Sequence, residues 1–364
     1  MKFSLTYLGQ MDWWLIISSV LITGFGLVGI YSTSLAKNDY SNFEKQLAFF
    51  AIGLGLMVVI SLFDYRLLRN NSYLILALYS ICILLLVGLH FFAPVIRGAR
   101  GWYKIGFLTL APIEPVKIIL LILLAKYFSV RHVEMYKFRH IVFSGLYALL
   151  PAALIFIKPD LGTALVLIFM WIGILIVSGI KLKHFAILSL GFVIVAAFSW
   201  NFLLKDYQKE RVTAFLFPSD ILGSSWSQTQ TKLAIGSGQI SGEGIGKDSQ
   251  VQYGFLPEPH TDFIFSAIAE EWGVIGIFVL FVLYGVLIWR ITIIAVQSQS
   301  NFPRLFAVGF AILLIAQFAI NVGMNLSLLP VVGIYLPFVS YGGSGLIANF
   351  ISLGILQSIK LRNT

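Results

Sequence analysis

Three carboxylates, Asp262, Glu270 and Glu271, stand in the stretch GFLPEPHTDFIFSAIAEEWGVIGIFVLFVL at 254–283, where a polar lead-in becomes an apolar run. Ionised groups are costly in hydrocarbon, and a membrane segment that keeps them has a cavity, a pathway or a paired network for them. Pro257 and Pro259 stop any helix before His260, which predicts a helix capped by Thr261 with Asp262 in its first turn. There the helix dipole favours the anion, and Asp262, Ser266 and Glu270 share one face at i, i+4 and i+8. A carboxylate held ionised in a cavity can take a proton from a hydroxyl or hold a cation; a plain helix cap is the competing reading. Glu270 and Glu271, two turns deeper, read first as a structural network.

Cations form the second set. VIRGARGWYKIG carries Arg97, Arg100 and Lys104 around Trp102. Arginine grips phosphate oxygens bidentately, so this cluster suits a phosphorylated lipid, with snorkelling to head groups as the alternative. In APIEPVKIILL, Pro112 and Pro115 fit only at or near a first helical turn. Glu114 and Lys117, three apart, share a face: they either lock the helix end or present Lys117 to a polar cavity. Asp160, in KPDLG at 158–162, is an ordinary N-cap and also a carboxylate within reach of a neighbouring cation.

The elements that must position these groups are membrane helices. Of 364 residues, 59% are hydrophobic and 11% charged, far from a soluble composition of about 25% charged residues. The class is an all-α polytopic membrane protein, one domain over 1–364. Apolar runs lie at 13–33, 46–63, 72–92, 110–128, 141–157, 161–180, 184–203, 263–288, 305–326 and 334–357, which predicts ten helices. The first run is longer than a signal-peptide core and lacks a convincing cleavage site, so it reads as a retained helix. The single cysteine, Cys82, excludes an intrachain disulfide. Lys2, Arg66, Arg69, Lys126, Arg131, Lys137, Arg139, Lys181, Lys183, Arg290, Arg304, Lys360 and Arg362 fall on one side, which places both termini in the cytoplasm. Those loops face an anionic leaflet, so the net charge of +9 requires no nucleic acid. The segment 204–262 is then a large external loop; its glycine-rich GSGQISGEGIG lacks the spacing and βαβ setting of a dinucleotide site. Its apolar punctuation suits a folded re-entrant or interfacial loop.

Several stretches together resemble the SEDS family (shape, elongation, division and sporulation), most closely its rod-shape-determining branch: GARGW at 98–102, P-x-E-x-x-K at 112–117, KPDLGTA at 158–164, QTKLAIGSG at 230–238, FLPEPHTDFIF at 255–265, AEEWG at 269–273 and LPVVGIYLPFVSYGGS at 329–344. They follow the family's order over most of the chain. The resemblance implies a peptidoglycan glycosyltransferase that polymerises glycan strands from lipid II in the bacterial cytoplasmic membrane. Its partner would be a single-span class B penicillin-binding protein. It implies Asp262 as the catalytic residue, and substrate contacts from Arg97, Arg100, Trp102, Glu114, Lys117, Asp160, Arg211, Gln230, Lys232, His260 and Ser344. It further implies an assisting divalent cation, Mg or Mn, with no organic cofactor. The family's usual Q-P-S-E reads Ala111-Pro112-Ile113-Glu114 here, so two polar side chains are replaced. A lipid II flippase, a scaffold for division or elongation enzymes and an ion-coupled transporter are the other classes. The first would spread charges through the membrane depth, the second would tolerate Asp262→Asn, and the third needs midplane ion sites.

Overall fold

The computed structural model describes residues 9–35, 38–94, 101–105, 108–131, 137–158, 160–217, 225–247 and 249–362. Among them, ten helices build a polytopic membrane protein: α1 (Trp13–Leu35), α2 (Ser41–Leu62), α4 (Ser72–Phe92), α5 (Ile113–Arg131), α6 (Phe138–Phe156), α7 (Leu161–Val177), α8 (Leu182–Phe202), α12 (Ile264–Gln297), α13 (Asn301–Asn325) and α14 (Gly343–Arg362). Eight of these are long and apolar enough to cross a bilayer by length and composition. The others are α7, with 17 residues, and α5, whose apolar run is interrupted by Glu114, Lys117 and Lys126. A short α3 (Arg66–Asn70) links α2 to α4.

Small residues set the helix packing. The largest helix interface joins α2 to α14. A Cβ on Gly53 would come within 2.8 Å of the Phe350 ring, and one on Gly354 within 2.8 Å of the Met57 carbonyl. In lipid, such close approach replaces the hydrophobic drive that water would supply. At one end of the bundle Arg290 forks onto Asp12, with Nε 3.1 Å from both carboxylate oxygens. The same carboxylate caps Leu15 N at 3.1 Å, and Gln357 bonds both the N–H and the C=O of Asp12. Helices α1, α12 and α14 are thereby pinned together. By contrast α8 buries only His184 against the rest of the chain.

Three features depart from the apolar-run reading: the tenth run, predicted at 334–357, is helical only over Gly343–Arg362, its first nine residues forming an extended and turned segment, and two more lie earlier in the chain. Ahead of α5 lies a two-stranded antiparallel hairpin, β1 (Tyr103–Ile105) with β2 (Leu108–Leu110), in register Lys104↔Thr109. The predicted fourth run at 110–128 is therefore displaced to 113–131. The eighth run, predicted to end at 288, extends to Gln297 and breaks at Gly273, whose φ of 61° and ψ of −161° no helix tolerates.

The break is filled by the segment between α7–α8 and α12, which folds into α9 (Asp206–Leu216), α10 (Trp226–Ser237) and α11 (Ser249–Gln252). Residues following α10 take up the backbone groups that the break releases. Val274 N donates to Gln239 O at 2.9 Å and Ile275 N to Ile240 O at 3.2 Å, while Glu243 N and Gly244 N donate to Glu270 O and Glu271 O at 2.9 and 3.0 Å. Unmade, each such bond would cost several kcal/mol at membrane depth. Glycine is required on both sides: a Cβ on Gly242 would sit 2.0 Å from Glu271 O, and one on Gly273 2.5 Å from Ile240 O.

Candidate active site

The segment 331–335, between α13 and α14, is the spine on which the candidate residues meet. Gly333 has a positive φ of 72°, and a Cβ there would lie 3.6 Å from Asp262 Oδ2, so the carboxylate rests directly over it. Gly162, at the start of α7 and two residues from Asp160, would place a Cβ 2.6 Å from Val332 O. From α9, Arg211 Nη1 donates to Val331 O at 3.4 Å. Tyr335 closes the group from the other side.

Tyr335 joins a buried ion pair. Lys117 Nζ lies 2.8 Å from Glu114 Oε2, and both side chains are almost wholly shielded. The Tyr335 hydroxyl donates to Glu114 Oε2 at 2.7 Å and accepts from Lys117 Nζ at 3.1 Å, with the ammonium 4.7 Å from the ring centroid. Each charge thus has an opposite charge and a hydroxyl, as burial of an ion pair requires. The structure supplies the pairing that the i, i+3 spacing predicted. The sequence reading overlooked Tyr335, although a hydroxyl inside PVVGIYLPF was the available signal.

Asp160 caps α7, accepting from Thr163 N at 3.0 Å and Thr163 Oγ1 at 2.8 Å. Burial raises its proton affinity; the two Thr163 bonds and the Lys117 charge lower it, and the Glu114 charge raises it. Cap and electrostatic neighbour of the ion pair are therefore the same carboxylate. Desolvation raises the Tyr207 pKa on α9; the Arg211 charge lowers it and the Asp160 charge raises it. The Arg211 guanidinium lies 5.8 Å from the Tyr207 ring centroid. Helix α9 so stands over the same site.

Asp262 departs from the predicted cap geometry. Helix α12 begins at Ile264 with Phe263 at the N-cap position, which leaves Thr261 and Asp262 in the preceding turn. The reason is competition for their carbonyls. Thr261 O accepts from Ser340 Oγ at 2.6 Å, and Asp262 O accepts from Asn321 Nδ2 and Asn325 Nδ2 at 3.0 and 3.1 Å. Of the expected Asp262, Ser266, Glu270 line, Ser266 and Glu270 share a face of α12, while Asp262 lies in the turn before it, its carbonyl bonded to the same Asn325 that Ser266 meets. Ser266 Oγ donates to Asn325 Oδ1 at 2.6 Å, and Glu270 Oε1 accepts from Gln250 N at 2.9 Å. Glu270 and Glu271 are buried, and their carbonyls accept from the loop that plugs the helix break.

The remaining candidates lie less centrally. His260 faces Tyr341 with ring centroids 5.9 Å apart and has Glu258 Oε2 3.8 Å from its Nε2. Ser344 Oγ accepts from Ala111 N at 3.1 Å and donates to Thr109 O at 3.4 Å, tying the hairpin to α14. Gln230 is buried in α10, whereas Lys232 and Trp102 are exposed. Arg97 and Arg100 lie outside the described residues. Among the described residues no group of three or more His, Cys, Asp or Glu side chains converges to hold a metal. The described side chains do not form a protein-built divalent site, which needs several oxygen ligands.

Comparison with known proteins supplies the relatives of this arrangement. The FtsW/RodA/SpoVE family profile, described as "Cell cycle protein", matches residues 12–364. The chain is 37% identical over 330 residues to peptidoglycan glycosyltransferase MrdB of Escherichia coli K12, covering 90% of this chain and 87% of that protein. It is 34% identical to stage V sporulation protein E of Bacillus subtilis over 357 residues, covering 96% of each. Among solved structures, a chain from a study of a peptidoglycan synthase complex, in which polymerization and crosslinking are coordinated, superposes with a TM-score of 0.82. It is 31% identical, with 97% of this chain and 98% of that one covered. The rod shape determining protein RodA of Thermus thermophilus superposes with a TM-score of 0.69 at 29% identity, covering 96% of each chain.

Proposed function

This chain belongs to the FtsW/RodA/SpoVE family of cell cycle proteins, and from that premise we propose that it is a peptidoglycan glycosyltransferase polymerising glycan strands from lipid II. The observation that carries the reading is the convergence of one carboxylate, Asp262, with the cations Lys117 and Arg211 on the segment 331–335. A base and a set of cations are what the transfer of a sugar from a diphosphate needs. The MrdB and RodA likenesses favour duty in cell elongation.

The donor is the α-linked sugar diphosphate at the reducing end of the lipid-linked strand, and the product linkage is β-1,4, so one in-line displacement with inversion suffices. Asp262 accepts the proton of the lipid II GlcNAc 4-hydroxyl as its oxygen attacks the donor anomeric carbon. The bond from that carbon to the diphosphate oxygen breaks, and undecaprenyl diphosphate leaves with the electron pair. Lys117 and Arg211, with Arg97, Arg100 and Lys232 of α10, offset the growing negative charge. Glu114 and Tyr335 hold the Lys117 ammonium in place. Asp160, Gln230, Trp102, His260 and Ser344 are proposed to shape the substrate cleft. An Mg or Mn ion on the diphosphate is proposed from the family resemblance alone.

The proposed setting is the bacterial cytoplasmic membrane, with both termini cytoplasmic and the cleft on the outer side. The likeness to a chain of a peptidoglycan synthase complex supports a class B penicillin-binding protein as partner. The test is polymerisation of lipid II by the purified protein with that partner in detergent, with and without chelator. Glycan strands of many disaccharides are expected, and fewer with chelator. A flippase or scaffold would give none, because a micelle has no second compartment. Strands of unchanged length under chelation would dismiss the metal.

A further inference from the structure

Near the end of α13 the side chains at 317, 321 and 325 are Gln, Asn and Asn, one face of an otherwise apolar helix. Asn321 and Asn325 are fully buried. Buried amides are costly unless bonded, and these bonds are specific. Asn321 Nδ2 donates to Asp262 O at 3.0 Å and to Ile334 O at 2.7 Å. Both partners are carbonyls, which only accept, so this amide has one orientation. Asn325 Nδ2 also donates to Asp262 O. Its orientation is set from behind by Ser266, whose N and Oγ donate to Asn325 Oδ1 at 3.3 and 2.6 Å.

One nitrogen therefore straps together two separate chain segments: the turn that carries Asp262 and the spine that carries Tyr335. We propose that Asn321, backed by Asn325 and Ser266, is a positioning residue that sets the Asp262 carboxylate relative to the Lys117–Tyr335 pair. This rests on the reading of Asp262 as the base. Asn321 acts through the backbone of Asp262 and Ile334, so its loss leaves the base and the cations chemically intact and only misplaces them. A displacement of about 1 Å costs on the order of a hundredfold in rate. Affinity for the diphosphate lipid, set by Lys117, Arg211 and the loop cations, is expected to survive.

The experiment compares Asn321→Ala, Ser266→Ala and Asp262→Asn in the complex with the penicillin-binding protein, measuring lipid II turnover and, separately, lipid II Kd. Asn321→Ala is expected to lower turnover roughly 10- to 100-fold, and Ser266→Ala by a smaller factor, with Kd within about threefold of the parent. Turnover within about twofold of the parent in both, or equal losses of turnover and affinity, overturns the strap. Ser266→Ala removes one oxygen from a serine already buried in α12, and it decides alone should Asn321→Ala not fold. An inactive Asp262→Asn beside fully active strap variants refutes the strap while leaving the base assignment. An active Asp262→Asn refutes the base and the strap with it.

Discussion

At the scale of residues, the Glu114–Lys117–Tyr335 triad makes the sharpest energetic statement. Removing one partner from a buried ion pair leaves an uncompensated charge and costs about 3–5 kcal/mol. Lys117→Met or Glu114→Gln is expected to lower the thermal unfolding midpoint strongly, and the double variant by less than the sum. Additive losses in scanning fluorimetry would contradict the coupling. The loop arginines predict a different quantity. Arg97→Ala with Arg100→Ala should weaken lipid II binding, and Arg100→Lys should restore only part of it, since lysine makes no bidentate phosphate contact; unchanged lipid II affinity in the double variant would return them to snorkelling. How far the site was legible differs by residue. Glu114 and Lys117 announced themselves by spacing and charge. Asp262 was legible as chemistry but the helix start was placed two residues early, because the pull on its turn comes from Asn321 and Asn325 of α13 and from Ser340 in the segment before α14. Asn321 and Gly333 matter through tertiary contacts that no local pattern encodes, and Tyr335 offered a hydroxyl in an apolar stretch but no sign of its partners.

At the scale of elements, the break in α12 is the feature most exposed to a single substitution. Gly242→Ala and Gly273→Ala both push a methyl into backbone carbonyls and impose a side chain at positive φ, a combination expected to cost several kcal/mol. Either should release residues 239–244 from α12, read as faster proteolysis of the loop. An unchanged cleavage rate would mean that the loop is held elsewhere. Hydropathy predicted α12 as an apolar run because it counts side chains, whereas the break is a matter of backbone hydrogen bonds made by a distant loop. For the same reason the β1–β2 hairpin was hidden inside a polar connection. Helices α1 and α4, without such a break, lie close to their predicted bounds, while α2 and α13 begin five and four residues earlier than their apolar runs.

At the scale of the whole molecule, apolar side chains are exposed on most of the ten helices, and the docking prediction concerns the α12–α13 face. On α12, Phe278, Val282 and Trp289 are exposed, and on α13 Ile315 together with Ala319, with Ala316 half-covered. Gly309, seven residues before Ala316 on the same helix, is by contrast buried, its would-be Cβ 2.4 Å from Leu121. At its α13 edge the docking face therefore rests on Ala316 and Ala319. Ala316 and Ala319 exchanged for Leu should reduce co-purification with the single-span penicillin-binding protein and activity together, with unchanged expression. A complex intact after both changes would move the docking face to another helix. The central claim, that Asp262 deprotonates the attacking hydroxyl at a site built on residues 331–335, is tested most directly by one comparison. Lipid II polymerisation by the purified complex carrying Asp262→Asn, set against the parent, should fall about a hundredfold or more at equal membrane insertion and equal partner binding. A variant that polymerises at near the parent rate would contradict the account.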